Sequence, residues 1–453
     1  MKIKNLEIEN FKCFGQKQSL DFGRITLLTG ANSSGKSSLM YAILACMQSN
    51  SFPFMLSLNG DYVNMGDFEE TVFRNDAKKE IGIKIEFEDE NLGNQIAEMI
   101  WESNKNHQPI IKKLSLIMAS FFELKVEKER DSYKCQFLSY PINDNKVDNS
   151  KLNLFTTYIS NIINASKELL GDNFISMFED FINFRVQKIE INISSIGILV
   201  KGYQTEATEE QFLMFIVSSI LGFIKSFKEN INFSGAFRLS PQRGYLEKTQ
   251  IVPKLAVSGE GYLDQILAWE TEKSAEFKAL KGIMRYLALT HDIKSKRSKG
   301  GKFEVLVKTK SNSVFSSLTD VGFGISNFLP IIVADLQLSN NSTLFVAQPE
   351  THLHPSVQSK FGEYLSSQIN STNKNYVVET HSEYLLNNIR LAIVKGEVKS
   401  EDVKIYYIEP DGTDRKIHHI SFAKNGQILN APKSFFDTYM IDVMNIALNA
   451  TAE

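Results

Sequence analysis

Residues 30–37 read Gly30-Ala31-Asn32-Ser33-Ser34-Gly35-Lys36-Ser37, a full match to glycine, four free positions, then Gly-Lys-Ser. Glycines let successive backbone N–H groups converge on one anion, and the helix that follows points its positive end at the same place. Lys36 is placed to reach the outer phosphates of a nucleotide, and the Ser37 hydroxyl to serve as a magnesium ligand. Asn32, Ser33, Ser34 and Ser38 complete the polar cradle. The chemistry these residues can do is to hold a triphosphate.

Whether the chain also hydrolyses one depends on other segments. In "LFVAQPETHLHP" (344–355) an apolar strand runs straight into polar residues, but with Ala347 and Gln348 where a hydrolytic site would carry two acids. "NYVVETHSEYLL" (375–386) is another apolar strand, ending in Glu379-Thr380-His381-Ser382. There His381 can meet a γ-phosphate or simply end a strand. "DVGFGISNFLP" (320–330) places Gly322, Gly324 and Ser326 ahead of a helical run, which is either a second anion-binding helix end or a glycine-capped turn. His352 and His354 flank Leu353, but no further His or Cys lies near enough to make a metal set.

The phosphate loop needs a strand before it and a helix after it. "RITLLT" (24–29) reads as a buried strand, and Leu39, Ile43, Leu44 and Met47 line one face of a helix over 36–48. "EIGIKIEFED" (80–89) alternates as a strand with one wet face. From 93 to 234, amphipathic stretches such as "SKELLGDNFISMFEDFINF" between Asn- and Lys-rich loops predict a mostly helical insertion, with "FLMFIVSSILGFI" (212–224) as a buried helix. Strands return at 303–309, 343–348, 375–380 and 403–409, the middle ones separated by helical stretches as parallel βαβ units require. A hairpin across "EPDG" (409–412) and a C-terminal helix close the chain.

The chain of 453 residues is 43% hydrophobic and 23% charged, with a formal net charge of −3, so nucleic-acid binding would have to rest on a local patch. The densest basic run is Lys294, Lys296, Arg297, Lys299 and Lys302, which reads either as a phosphate-backbone contact or as a solvated, mobile loop. Arg238 and Arg243 offer another approach to a phosphate. Cys13, Cys46 and Cys135 have no metal or disulfide spacing, as expected of a protein of a reducing cytoplasm. No leader and no membrane-spanning stretch is read.

Together and in this order, these segments resemble the ABC-type ATPase head shared by the SMC, RecF, Rad50 and OLD families. "LEIENFKCFG" (6–15) is similar to the opening strand of those heads, where an aromatic and a basic residue, here Phe11 and Lys12, sit near the nucleotide. The resemblance implies ATP and Mg2+ as ligands, "GFGISN" as the signature motif and His381 as the switch histidine. It implies that two chains pair head to head, each loop facing the partner's signature. A narrower resemblance, to a bacterial group of such ATPases carrying a DUF3696 region, rests on Val321 to Gly324, Gln348-Pro349-Glu350, His352 to Pro355, Glu379 to Glu383, "LSPQRGY" (239–245) and "APKSFFD" (431–437).

The expected fold is therefore α/β, an ABC-type ATPase head with a mixed sheet and helices on both sides, interrupted by the helical insertion. Its parts are 1–92, 93–234, 235–400 and a C-terminal hairpin and helix at 401–453. Aligned with those families, Ala347 takes the slot of the magnesium-binding acid and Gln348 that of the base. Alanine offers magnesium nothing, and glutamine cannot accept a proton although it can orient a water. Hydrolysis is expected to be slow or conditional, supported by Glu350, His381 and Gln348, unless Glu350 only caps the helix near Pro355. No nuclease signature is present, so the output is expected in a separate effector such as a nuclease or toxin. The ATPase subunits of anti-phage systems such as PARIS and Septu look broadly similar. The alternatives are a RecF- or SMC-like ATPase clamping DNA and a non-hydrolysing scaffold.

Overall fold

The computed structural model describes residues 2–50, 52–89, 93–118, 122–130, 132–139, 188–193, 230–248, 254–432 and 435. They fall into two compact units, one of Met1–Phe22 and Ser38–Asn230, the other of Gly23–Ser37 and Ile231–Glu453. The phosphate loop and the strand before it thus cluster with the second half of the chain and not with the rest of the first half.

The first part of the chain supplies β1 (Lys2–Glu9), β2 (Gln18–Asp21), β3 (Ile25–Gly30), helix α1 (Lys36–Gln48) and β4 (Ile81–Asp89). It continues with β5 (Gly93–Ser103), β6 (Pro109–Met118), β7 (Phe122–Glu129), β8 (Ser132–Ser139) and β9 (Lys188–Ile193). All but β3 build an antiparallel sheet in the order β2-β1-β4-β5-β6-β7-β8-β9.

The helical insertion expected from residue 93 is therefore corrected over 93–139, which is a β-meander. The reason is a period of two. In β5, Ala97, Met99 and Trp101 are buried while the residues between them turn outward, and Leu114, Leu116, Leu124 and Val126 continue the dry face. The other face joins strands by charge, as where Lys113 meets its direct cross-strand partner Glu127 at 2.8 Å. Asn104 forms the β5–β6 turn by accepting from the backbone N–H groups of Asn106 and Gln108. The amphipathic stretch at 166–184, the buried helix at 212–224 and the C-terminal helix lie outside the described residues.

The second unit continues with β10 (Ile231–Ser234), β11 (Tyr245–Leu246), α2 (Tyr262–Glu272), α3 (Ala275–Tyr286), β12 (Asp292–Ser298), β13 (Lys302–Lys308) and β14 (Ser316–Ser317). It ends with α4 (Phe323–Gln337), β15 (Thr343–Ala347), α5 (Pro355–Ser371), β16 (Asn375–Glu379), α6 (Glu383–Val394), β17 (Val403–Asp411), β18 (Asp414–Phe422) and β19 (Ile428–Leu429). The main sheet runs β10-β15-β16-β3-β17-β18-β19, parallel from β10 to β17 and antiparallel beyond, so the expected 409–412 hairpin forms. β3, β15 and β16 are buried along their whole length, as continuous apolar runs covered on both faces must be.

The strand at 303–309 does not join that parallel set. It is β13, the centre of a small antiparallel sheet with β11, β12 and β14. The basic run is consequently a hairpin and no loose loop, turned by Gly300 and Gly301 at φ +78° and +69°. Three of its cations are engaged. Arg297 pairs with Glu247 at 2.9 Å, Lys296 lies 3.7 Å from Glu304, and the Lys294 ammonium sits 4.1 Å from the centre of the Phe315 ring.

Between α4, α5 and the sheet, Asp335 is buried with its carboxylate accepting from the hydroxyls of Tyr364 and Tyr376. The Lys374 ammonium lies 3.3 Å from the same carboxylate and donates to the Asp335 carbonyl at 2.5 Å. Asp335→Ala would leave a buried ammonium without its counter-charge, at about 3–5 kcal/mol of stability. Chemical denaturation should show that loss, and a change under ~1 kcal/mol would mean that water reaches Lys374 after all.

Candidate functional site

β3 delivers Gly30 to the end of the sheet at φ +139°, where a Cβ would lie 2.2 Å from the Ile408 carbonyl oxygen of β17. Only glycine fits that approach. Ser33 (φ +58°) and Gly35 (φ +104°) are also left-handed, so the loop curls back on itself before α1 begins at Lys36. The buried Lys36 ammonium donates to the carbonyls of Gly30 at 3.1 Å and Ala31 at 2.7 Å. Burial pulls its pKa down, and the carboxylates of Glu379 and Glu350 oppose that shift. The Ser34 hydroxyl is buried with no hydrogen-bond partner, while Ala31, Asn32 and Ser33 face solvent.

Parallel register brings the next residues to the same edge. Ala347 pairs with Glu379 and Glu379 with Leu28, so the ends of β15 and β16 are level and β3 runs on two residues further to Gly30. Glu379, whose role sequence reasoning missed although it quoted the residue, is 3% exposed. Both of its carboxylate oxygens accept from the Ser37 hydroxyl, at 2.9 and 2.8 Å. Burial pushes its pKa up, the Ser37 hydrogen bond and Lys36 pull it back, and Glu350 adds to the rise. The signal was available in outline, because an acid ends an otherwise apolar strand.

Ala347 ends β15, and its carbonyl accepts from the Arg238 guanidinium at 2.7 Å. Arg238 also donates to the Ser234 hydroxyl at 3.1 Å, and burial pulls its pKa down to about 10. Gln348 turns the chain at φ +46° and donates its N–H to the Glu379 carbonyl at 2.8 Å. That turn aims Glu350 at the end of β16, where its carboxylate accepts from the Thr380 hydroxyl at 2.8 Å and the His381 N–H at 2.6 Å. Glu350 does not cap α5. His354 does, accepting from the Ser356 N–H at 3.3 Å. The His381 side chain borders an open cleft with Glu350, Gln358 and Ser382. Partial desolvation and Lys36 hold its imidazole below the usual histidine range, with Glu350 opposing.

The glycine-bearing turn is organised separately. Gly322 caps α4 and Phe323 is 60% exposed, its ring centre 6.0 Å from that of His352. A Cβ on Gly324 would lie 2.8 Å from the His352 carbonyl oxygen. Arg243 holds the approach to this turn through Asp320, at 3.2 and 2.5 Å. Ser326 differs from a residue offered to a partner. It is buried in the first turns of α4, and its hydroxyl donates to the Phe323 carbonyl at 3.0 Å.

The structure thus brings together Gly30, Lys36, Ser37, Gln348, Glu350 and His381, and adds Glu379, Thr380 and Arg238. Lys12 belongs to the other compact unit, where its ammonium donates to the carbonyls of Met65 at 2.9 Å and Glu70 at 3.1 Å. Ser38 opens the stretch of α1 that belongs to that unit as well. No helix among the described residues is long and apolar enough to cross a membrane.

A phosphate group fits this loop. The left-handed residues, a buried ammonium and an orphaned buried hydroxyl are the features that a nucleotide would satisfy. Among solved structures, the chain is similar to an SMC head bound to the C-winged helix domain of ScpA, with 12% identity and a TM-score of 0.44 over 94% of this chain and 99% of that one. It is also similar to an SMC head with an extended coiled coil from Pyrococcus furiosus, bound to the C-terminal domain of ScpA (11%, 0.41, covering 98% and 99%). The SMC head from Thermotoga maritima matches at 10% and 0.37, covering 92% and 98%. No curated protein matches the sequence. Residues 1–386 match the AAA ATPase domain model AAA_15, so the chain belongs to that family of P-loop ATPases.

Proposed function

We propose that the chain is the ATP-binding subunit of a two-part system, holding a separate effector in check and hydrolysing ATP slowly or only when triggered. Bacterial anti-phage defence is the setting that this reading favours. The observation that carries it is a complete phosphate loop beside Ala347 and Gln348, where hydrolytic sites carry acids. Residues able to hold the triphosphate are present, and the strongest base of a fast enzyme is missing. Mg2+ would be held by Ser37 with phosphate oxygens, and when bound it would neutralise phosphate charge. Glu350 is the acid best able to take a proton, and the Gln348 amide can only orient a water. Head-to-head pairing is supported by the exposed Gly322 and Phe323.

A DNA-clamping reading would need free cations on one face. Pairing of Arg297 and Lys296 with acids lowers the charge that the basic hairpin can offer to phosphates.

Three outcomes test the proposal. Lys36→Ala should weaken ATP binding in calorimetry by roughly 10- to 100-fold, the value of a lost charge-assisted contact of ~1.5–3 kcal/mol. Glu350→Gln should leave ATP binding intact and lower any measured turnover by about 10²- to 10⁴-fold, as expected of a general base. Affinity capture of wild type and Lys36→Ala from native cells, each with and without ATP, should recover an effector protein with wild type and less with the mutant. Recovery of nucleic acid with no protein companion would favour the DNA-clamping reading.

A further inference from the structure

We propose that Glu379 is the carboxylate of the divalent-cation site, taking over from β16 the function that Ala347 cannot perform on β15. This rests on the ATP-binding reading above and names the acid that completes it.

The argument begins with topology. β16 lies between β15 and β3, so its last residue is one strand spacing, about 4.8 Å, nearer the phosphate loop than the last residue of β15. Register places Glu379 level with Ala347, and its longer side chain reaches the Ser37 hydroxyl with both oxygens at 2.9 and 2.8 Å. Ala347 cannot be rescued by its own backbone, because its carbonyl is taken by Arg238.

Glu350 is the competing acid. Its two oxygens accept from the Thr380 hydroxyl and the His381 N–H, so it ties two loops together, whereas the Ser37 hydroxyl donates to Glu379. Glu379 by contrast is 3% exposed and makes no ion pair among the described residues, its nearest cation, Lys36, donating to the carbonyls of Gly30 and Ala31. The Lys36 charge acts on this carboxylate without pairing with it directly, so a buried carboxylate bonded only to a hydroxyl is left under-compensated. Ser37 and Glu379 together offer only oxygen donors, the set preferred by a hard divalent cation such as Mg2+.

The test separates the cation from the nucleotide. A fluorescent ATP analogue is titrated into wild type, Glu379→Gln, Glu379→Asp and Lys36→Ala, each in Mg2+ and in EDTA, and Mn2+ bound to the protein–ATP complex is counted by EPR. Wild type should bind the analogue more tightly with Mg2+. Glu379→Gln should lose at least ~10-fold of that gain, and the bound Mn2+ signal, while its affinity in EDTA is unchanged; Glu379→Asp should recover part of both. Glu379→Gln keeping the full Mg2+ gain and the Mn2+ signal would overturn the assignment. Failure of wild type itself to bind the analogue would instead remove the ATP-binding reading, which Lys36→Ala tests in the same series.

Discussion

Parallel pairing of β15, β16 and β3 is the constraint on which the site depends. Each strand is buried along its length and separated from the next by a helix on the sheet's flank, so their ends can only meet at one edge. Side chains that are far apart in sequence then become neighbours by register. Ser37 and Glu379, 342 residues apart, share two short hydrogen bonds for that reason. Crevices at the carboxyl ends of parallel strands are where such sheets bind ligands.

Arginines fasten the two ends of these strands. Arg238 holds the end of β15 at the site, and at the opposite edge Arg24 fastens the start of β3 by donating to the carbonyls of Ile369 and Thr372 at 2.8 and 2.7 Å. Lys36 and Glu379 influence each other's protonation across the loop, and the Glu350 charge acts on both. Desolvation is the first cause of the shifts in Lys36 and Glu379, and it disfavours both charged forms. A ligand carrying negative phosphates and a cation would relieve both.

Much of the core of the second unit was legible in the chain. The strand at 24–29, the helix at 36–48 and the strands at 343–348, 375–380 and 403–409 follow from apolar runs of the right length between turn residues. The β-meander at 93–139 was not, because its alternation is interrupted by Lys- and Asn-rich turns and precedes a long amphipathic region that dominated the reading. The basic hairpin was misread for a related reason. Charged residues on an antiparallel ribbon look like a solvated loop until the partner strand supplies Glu304 and the neighbouring segment supplies Glu247.

By itself the sequence determined that a phosphate loop exists, because glycine spacing and Lys36 act over eight adjacent residues and need only a strand before and a helix after. It also determined that Ala347 and Gln348 cannot do the work of acids. Tertiary structure decided which acids stand in the site. Glu350 reaches the end of β16 through a left-handed turn at Gln348, and Glu379 reaches Ser37 through strand register. Neither relation is written in local spacing, since pairing between distant strands is set by how the whole sheet buries its two faces.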